Sequence, residues 1–169
     1  AGALWSTQNN WTNTAVVPDG ANVALDFGYS ALDADDSIVL DVSPGVTLTN
    51  LIYDHGVPGC VLTITCPESV TNVLTFVSNG VIRVEESQTV VLDANVYLSG
   101  NLYKTGAGTL VLNRRTYSGR ADAAYTLFIR EGQVVGCGEI SFLKVQPALA
   151  SDLVPPPEFV LEGDRAVVR

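Results

Sequence analysis

The sequence predicts an all-β domain. Branched apolar residues dominate, glycine and proline are scattered through the whole length as turn formers, and methionine is absent. The stretch from Asn101 to Val135 states the architecture most clearly. Gly106 and Gly108 bracket a tight turn, GTLVL follows as a short strand, and Ser118-Gly119 turns into YTLFIR, which ends at Glu131-Gly132 before QVV. Strand, corner, strand, corner, strand, with no helix between, reads as one coil of a β-solenoid. Antiparallel β-sandwiches place short strands and turn signals at the same spacing, so periodicity alone leaves both architectures open.

The other elements follow the same logic. From Ser37 to Ala94 the runs SIVLDV, VTLTNLIY, CVLTITC, VLTFV, VIRVE and TVVLDA are separated by SPG, HGVPG, CPES and SNG. Alternation within VTLTN, VLTIT and VIRVE turns the apolar residues to one face and threonines to the other. Short phrases recur as VALDF, IVLDV and VVLDA, with Asp26, Asp41 and Asp93 each following an apolar pair. RADAAYTLFIREG is the one passage with helical composition, but Tyr125, Thr126, Phe128 and Ile129 favour a corner followed by a strand. ISFLKV is the last strand of a main body spanning residues 1–145.

The 169 residues suit one well-cored domain. No apolar run approaches the ~20 residues of a membrane helix, so no transmembrane segment is expected. A net charge of −9 argues against nucleic acid, whose binding rests on cations that displace phosphate counterions. Residues 1–82 hold eight acidic groups and no lysine or arginine, whereas Arg114, Arg115 and Arg120 cluster in the second half. In a solenoid this asymmetry becomes one acidic end and one end with an arginine cluster. Three cysteines cannot form a complete set of bridges. Cys60 and Cys66 would stand about 20 Å apart in one extended strand, too far for a disulfide. Buried thiols are the simpler reading of Cys60, Cys66 and Cys137, with one bridge through Cys137 as the alternative.

KTGAGTLVL, then TYSG, then EGQVVG resembles the autotransporter-associated β-strand repeat of bacterial secreted and outer-surface proteins. The likeness extends upstream through LWSTQNNW, PDGANVALDFG, IVLD and VTLTNLIYD, and covers roughly residues 3 to 136. It implies a right-handed parallel β-helix, exported and usually without catalytic activity. Relatives carry many copies of the motif, and this chain carries one. The small residues Ala1-Gly2-Ala3 and the missing initiator methionine suit a chain from which a signal peptide has been cut.

Candidate functional residues are few, and no enzyme, cofactor or metal is expected. Trp5 and Trp11, six apart in an asparagine-rich setting, read as an end cap, with a pair of glycan-stacking platforms as the alternative. Asp33, Asp35, Asp36 and Asp41 lack the glycine and distal glutamate of a Ca²⁺ loop and read as a solvated turn. His55, the only histidine, reads as polar surface in a turn, since no nucleophile motif frames it. Carboxylates such as Glu85 and Glu86 leave polysaccharide cleavage as the weakest alternative.

Residues 146–169 form a proline-rich extended arm. Pro155-Pro156-Pro157 runs as a stiff connector, and Phe159, Val160 and Leu161 belong to a short terminal strand. The segment reads as a hairpin cap, a linker, or an arm that adds a strand to a neighbour. Together these features lead to a secreted, non-catalytic subunit that polymerises head to tail into an extracellular fibre or surface layer. In that reading Arg114, Arg115, Arg120 and Arg169 meet the acidic end of the next copy. A surface adhesin for glycans is the alternative.

Overall fold

The computed structural model describes residues 3–11, 17–27, 35–69, 71–119, 125–141, 144–147, 158–161 and 167–168. In chain order the described strands begin with β1 (Ala3–Leu4), β2 (Ala24–Asp26), β3 (Asp36–Val39), β4 (Gly45–Tyr53), β5 (Val61–Thr65) and β6 (Val73–Val84). Next come β7 (Thr89–Asp93), β8 (Asn95–Ser99), β9 (Leu102–Thr105), β10 (Thr109–Leu112), β11 (Thr116–Ser118) and β12 (Thr126–Ile129). The last are β13 (Gln133–Gly136), β14 (Glu139–Ser141), β15 (Lys144–Pro147), β16 (Glu158–Leu161) and β17 (Val167–Val168). One 3-10 turn at Gln8–Asn10 is the single helical element among the described residues.

The protein is all-β and its sheets are parallel. One sheet runs β1-β3-β5-β7-β10-β13-β16, and the chain leaves it after each strand to add one or two strands to a ten-stranded second sheet. Every pairing among the described residues is parallel, whereas the sandwich alternative was an antiparallel one.

Parallel register carries the inward face of each strand onto the next. Leu62, Val90, Leu110 and Val134 form one column, and Ile38, Ile64, Leu92 and Leu112 another. All eight side chains are buried. In the second sheet Leu48, Phe76 and Leu98 align in the same way and are equally buried. Fully burying an aliphatic side chain contributes about 1.5–3 kcal/mol, so these columns are the main source of stability. Cys60 and Cys66 flank β5 with the parity of Leu62 and Ile64; both are buried, and no disulfide joins the three cysteines.

Several expected boundaries shift. VLTFV, SNG and VIRVE are one strand, β6, rather than two with a turn between. Ser78 and Asn79 adopt left-handed φ of 50° and 55°, so SNG is a bulge within the strand. Beyond it the two halves of β6 pair separate strands, β8 and β9. ISFLKV divides between β14 and β15.

The tail is corrected most. Phe159, Val160 and Leu161 lie in β16, which pairs in parallel with Val134–Gly136 of β13. β17 pairs with β14 in the other sheet, so the two terminal strands do not form a hairpin. β15 crosses the expected boundary at residue 145, and the strands that follow extend the same two sheets. The physical reason is that an apolar strand gains a full row of backbone hydrogen bonds from its own chain without the entropy cost of association. Arg120, Pro155, Pro156, Pro157 and Arg169 lie outside the described residues.

Glycines set the corners. Gly132 has φ 67°, and a Cβ there would meet the carbonyl oxygens of Gly108 and, at 2.7 Å, Gly106. Gly56 has φ 72° with nothing within 4 Å of such a Cβ. Gly132→Ala is therefore expected to lose more than about 2 kcal/mol in urea unfolding, from strain plus overlap, and Gly56→Ala only about 1 kcal/mol. Equal losses would show that overlap with the neighbouring turn contributes nothing.

Candidate functional site

Trp5 and Trp11, read from the sequence as an end cap or as glycan platforms, pack against each other. Trp5 is fully buried and its Nε1 donates to Pro18 O at 3.0 Å. The indole of Trp11 stands 5.0 Å from that of Trp5, donates to Trp5 O at 2.9 Å, and meets the Phe27 ring edge-on at 6.3 Å. Trp5 presents no ring face to solvent, and Trp11 packs into the same aromatic group.

Arg114 and Arg115 do not sit at an end of the sheet. Arg114 and Arg115 follow β10, the fifth of seven strands in its sheet, so both sit within the stack. Arg114 reaches back across earlier strands, donating from Nε to Asp93 Oδ1 at 3.2 Å and from Nη2 to Cys66 O at 2.6 Å. Arg115 lies 3.8 Å from Glu139 Oε1, donates to Ser141 Oγ, and covers the Tyr117 ring at 4.6 Å. Axial order follows sequence order in this sheet, and Arg114 and Arg115 fall two strands short of its far end.

The outer face of the ten-stranded sheet carries two aromatic pairs. Tyr97 and Tyr117 are register partners 5.2 Å apart, and Tyr103 stacks on Phe128 at 4.9 Å and 11°. Arg130 lies over both members of the second pair, at 5.5 and 5.1 Å. The rings lean on one another along the stack, an arrangement that stabilises neighbouring strands by about 0.5–1.5 kcal/mol per pair.

Ionisable side chains interrupt the apolar interior at Lys104 and His55, while Thr116 and Ser118 place hydroxyls at inward positions. Lys104 occupies the inward register position between Ile82 and Ile129 and is fully buried. Its Nζ donates to Thr105 O at 2.9 Å, Gly106 O at 2.6 Å and Glu131 O at 3.2 Å, while Glu131 Oε2 accepts from Gly106 N at 3.0 Å. The lysine of KTGAG and the glutamate of EGQVVG thus bind two successive corners together. Burial lowers the Lys104 pKa to about 8, against the opposing pull of Glu131 and Glu85.

The second interruption surrounds His55, which is a buried residue and not the polar surface expected of a turn histidine. Gln88 Oε1 accepts from His55 N at 3.1 Å and draws the turn inward. The imidazole Nε2 lies 3.9 Å from Asp36 Oδ2, and the ring is 6.0 Å from that of Tyr53. Asp36 pairs in register with Leu62, so a carboxylate heads an otherwise apolar column. Both ring nitrogens of His55 and the hydroxyl of Tyr53 are buried without a hydrogen-bond partner. Each such atom costs about 1–3 kcal/mol. Burial, with Asp36, Cys60 and Asp35 adding to it, pushes the Tyr53 hydroxyl far above the usual phenol range. Of the other aspartates, Asp35 accepts from Val61 N at 2.9 Å, Asp41 accepts from Ser6 N at 2.8 Å, and Asp33 lies outside the described residues.

No protein-family model matches the chain, and no match was found among curated proteins or solved structures.

Lys104 gives a pH prediction with a definite sign. The unfolded chain keeps this proton up to about 10.5 while the folded chain releases it near 8, so between those values the unfolded state binds more protons. Stability is therefore expected to rise with pH across that window, and the cost of burying the charge is present in full below it. Urea unfolding at pH 7.5 and 9.5 should show a gain of roughly 1–3 kcal/mol relative to the same comparison in Lys104→Met. A difference of zero or of opposite sign would overturn the assignment.

Proposed function

We propose that this chain is a non-catalytic, secreted structural module that assembles end to end into an extracellular fibre or surface layer. In this reading the two parallel sheets are walls of a right-handed parallel β-helix, the fold implied by the likeness of KTGAGTLVL, TYSG and EGQVVG to the autotransporter-associated β-strand repeat. The observation that carries the proposal is that β1 and β16 stand at opposite ends of one all-parallel sheet, each paired along a single edge among the described residues. A second copy whose β1 lies beyond β16 repeats the sheet's own stacking operation. Such a heterologous contact does not close on itself, and it grows a filament.

The contact differs from one built on opposite charges, because Arg114 and Arg115 are engaged within the stack. It rests on backbone pairing and on apolar residues such as Leu4, which is 46 % exposed. Glycan recognition is less well supported: Trp5 is buried, Trp11 packs on it, and Tyr103 is stacked on Phe128.

Leu4 provides the test. Trp5 N donates to Val39 O of β3, so strand alternation turns the N–H of Leu4 away from β3, while its C=O accepts from Thr7 N at 3.3 Å and Asn10 Nδ2 at 2.8 Å. Leu4→Pro removes a donor from the open edge without breaking a bond to β3. Negative-stain microscopy and sedimentation are expected to show filaments for the parent chain, little affected by salt, and single particles with unchanged circular dichroism for Leu4→Pro. Filaments in the variant, or a parent chain that stays monomeric at high concentration, would overturn the proposal.

A further inference from the structure

The corner between β4 and β5 holds chemistry that a structural module does not require. His55 is buried with neither ring nitrogen bonded, and its side chain has no solvent exposure. Tyr53, also fully buried, ends β4 with an equally unpartnered hydroxyl. Asp36 brings a carboxylate oxygen to 3.9 Å from the imidazole, beyond hydrogen-bonding distance. Two donors on one zinc, each about 2.0–2.2 Å from the metal, stand about 3.4 Å apart in a tetrahedral site. The present separation lies within a small side-chain adjustment of that value.

We propose that Asp36, His55 and Tyr53 form a binding site for a divalent transition-metal ion of the zinc class. Imidazole and carboxylate are ordinary ligands of such ions, and the phenol oxygen supplies a third donor. Among the described residues no group of three or more His, Cys, Asp or Glu is arranged to hold a metal, so this site depends on the tyrosine. An anionic neighbour favours a cation there, since Asp36 stands beside the imidazole and Asp35 precedes Asp36 in the chain. An entry route exists on two sides. The Asp36 side chain is 18 % exposed, and the following turn carries Gly56 in open space and Val57 at 37 % exposure. Bound metal would tie β3 to the end of β4 and so clamp one circuit of the chain to the next.

Native mass spectrometry of the full chain with Zn²⁺ tests the site, together with its thermal melt and the absorption spectrum of the Co²⁺ form. One equivalent of Zn²⁺ is expected, with a raised Tm, and Co²⁺ should give d–d bands of nitrogen and oxygen ligation without a sulfur charge-transfer band. His55→Ala and Asp36→Asn should each weaken uptake by at least about tenfold. A sulfur band would place the ion on Cys60, Cys66 or Cys137 and overturn the assignment. So would a folded chain that takes up no Zn²⁺, in which case the corner holds water only, or unchanged uptake by Asp36→Asn. If His55→Ala fails to fold, the parent Co²⁺ spectrum and Asp36→Asn still decide. None of these readings depends on filament formation.

Discussion

Parallel, in-register pairing is the constraint on which the rest of the molecule depends. Once Leu62 faces inward, the residues paired with it along the stack, Val90, Leu110 and Val134, must face inward too. A shift of one residue in any strand would turn its whole apolar set to solvent. The corners therefore have to return the chain to the same register after each circuit. That requirement is met by residues with no side chain to collide, such as Gly106 and Gly132, and by a left-handed bulge at Ser78-Asn79.

A column that demands apolar residues makes any polar intruder conspicuous. Lys104 is accommodated because three carbonyl oxygens surround its ammonium group and a glutamate from the next circuit closes the corner. The same side chain that breaks the column thus fastens adjacent turns. His55 and Tyr53 have not been accommodated in this way, since their polar atoms are buried without partners within the protein. Two intruders of similar burial have opposite degrees of satisfaction, and that contrast separates a structural clamp from a candidate binding site.

The ends of the stack obey a different rule. At the N-terminal end Trp5, Trp11 and Phe27 pack on one another, and side chains also reach the backbone: Asn10 Nδ2 donates to Leu4 O, Trp11 Nε1 donates to Trp5 O, and Asp41 accepts from Ser6 N. Arg114 and Arg115 tie strands together along the flank.

By itself the sequence determined the all-β class, most strand positions and the glycine corners. These follow from local chemistry: period-two alternation, the conformational freedom of glycine and the restriction of proline. Alternation in LYKT also turns Lys104 to the same face as Leu102, a signal that was legible and that its charge argued against. Only the tertiary structure decided that the strands are all parallel, that Phe159 to Leu161 extend their own sheet, and that Arg114 and Arg115 lie mid-stack. It alone brought His55, in the corner after β4, beside Asp36 of β3 and Gln88 just ahead of β7. The reason is that partners one circuit away are set by how many residues each corner consumes. Those corners vary in length, so no fixed period in the sequence carries the register.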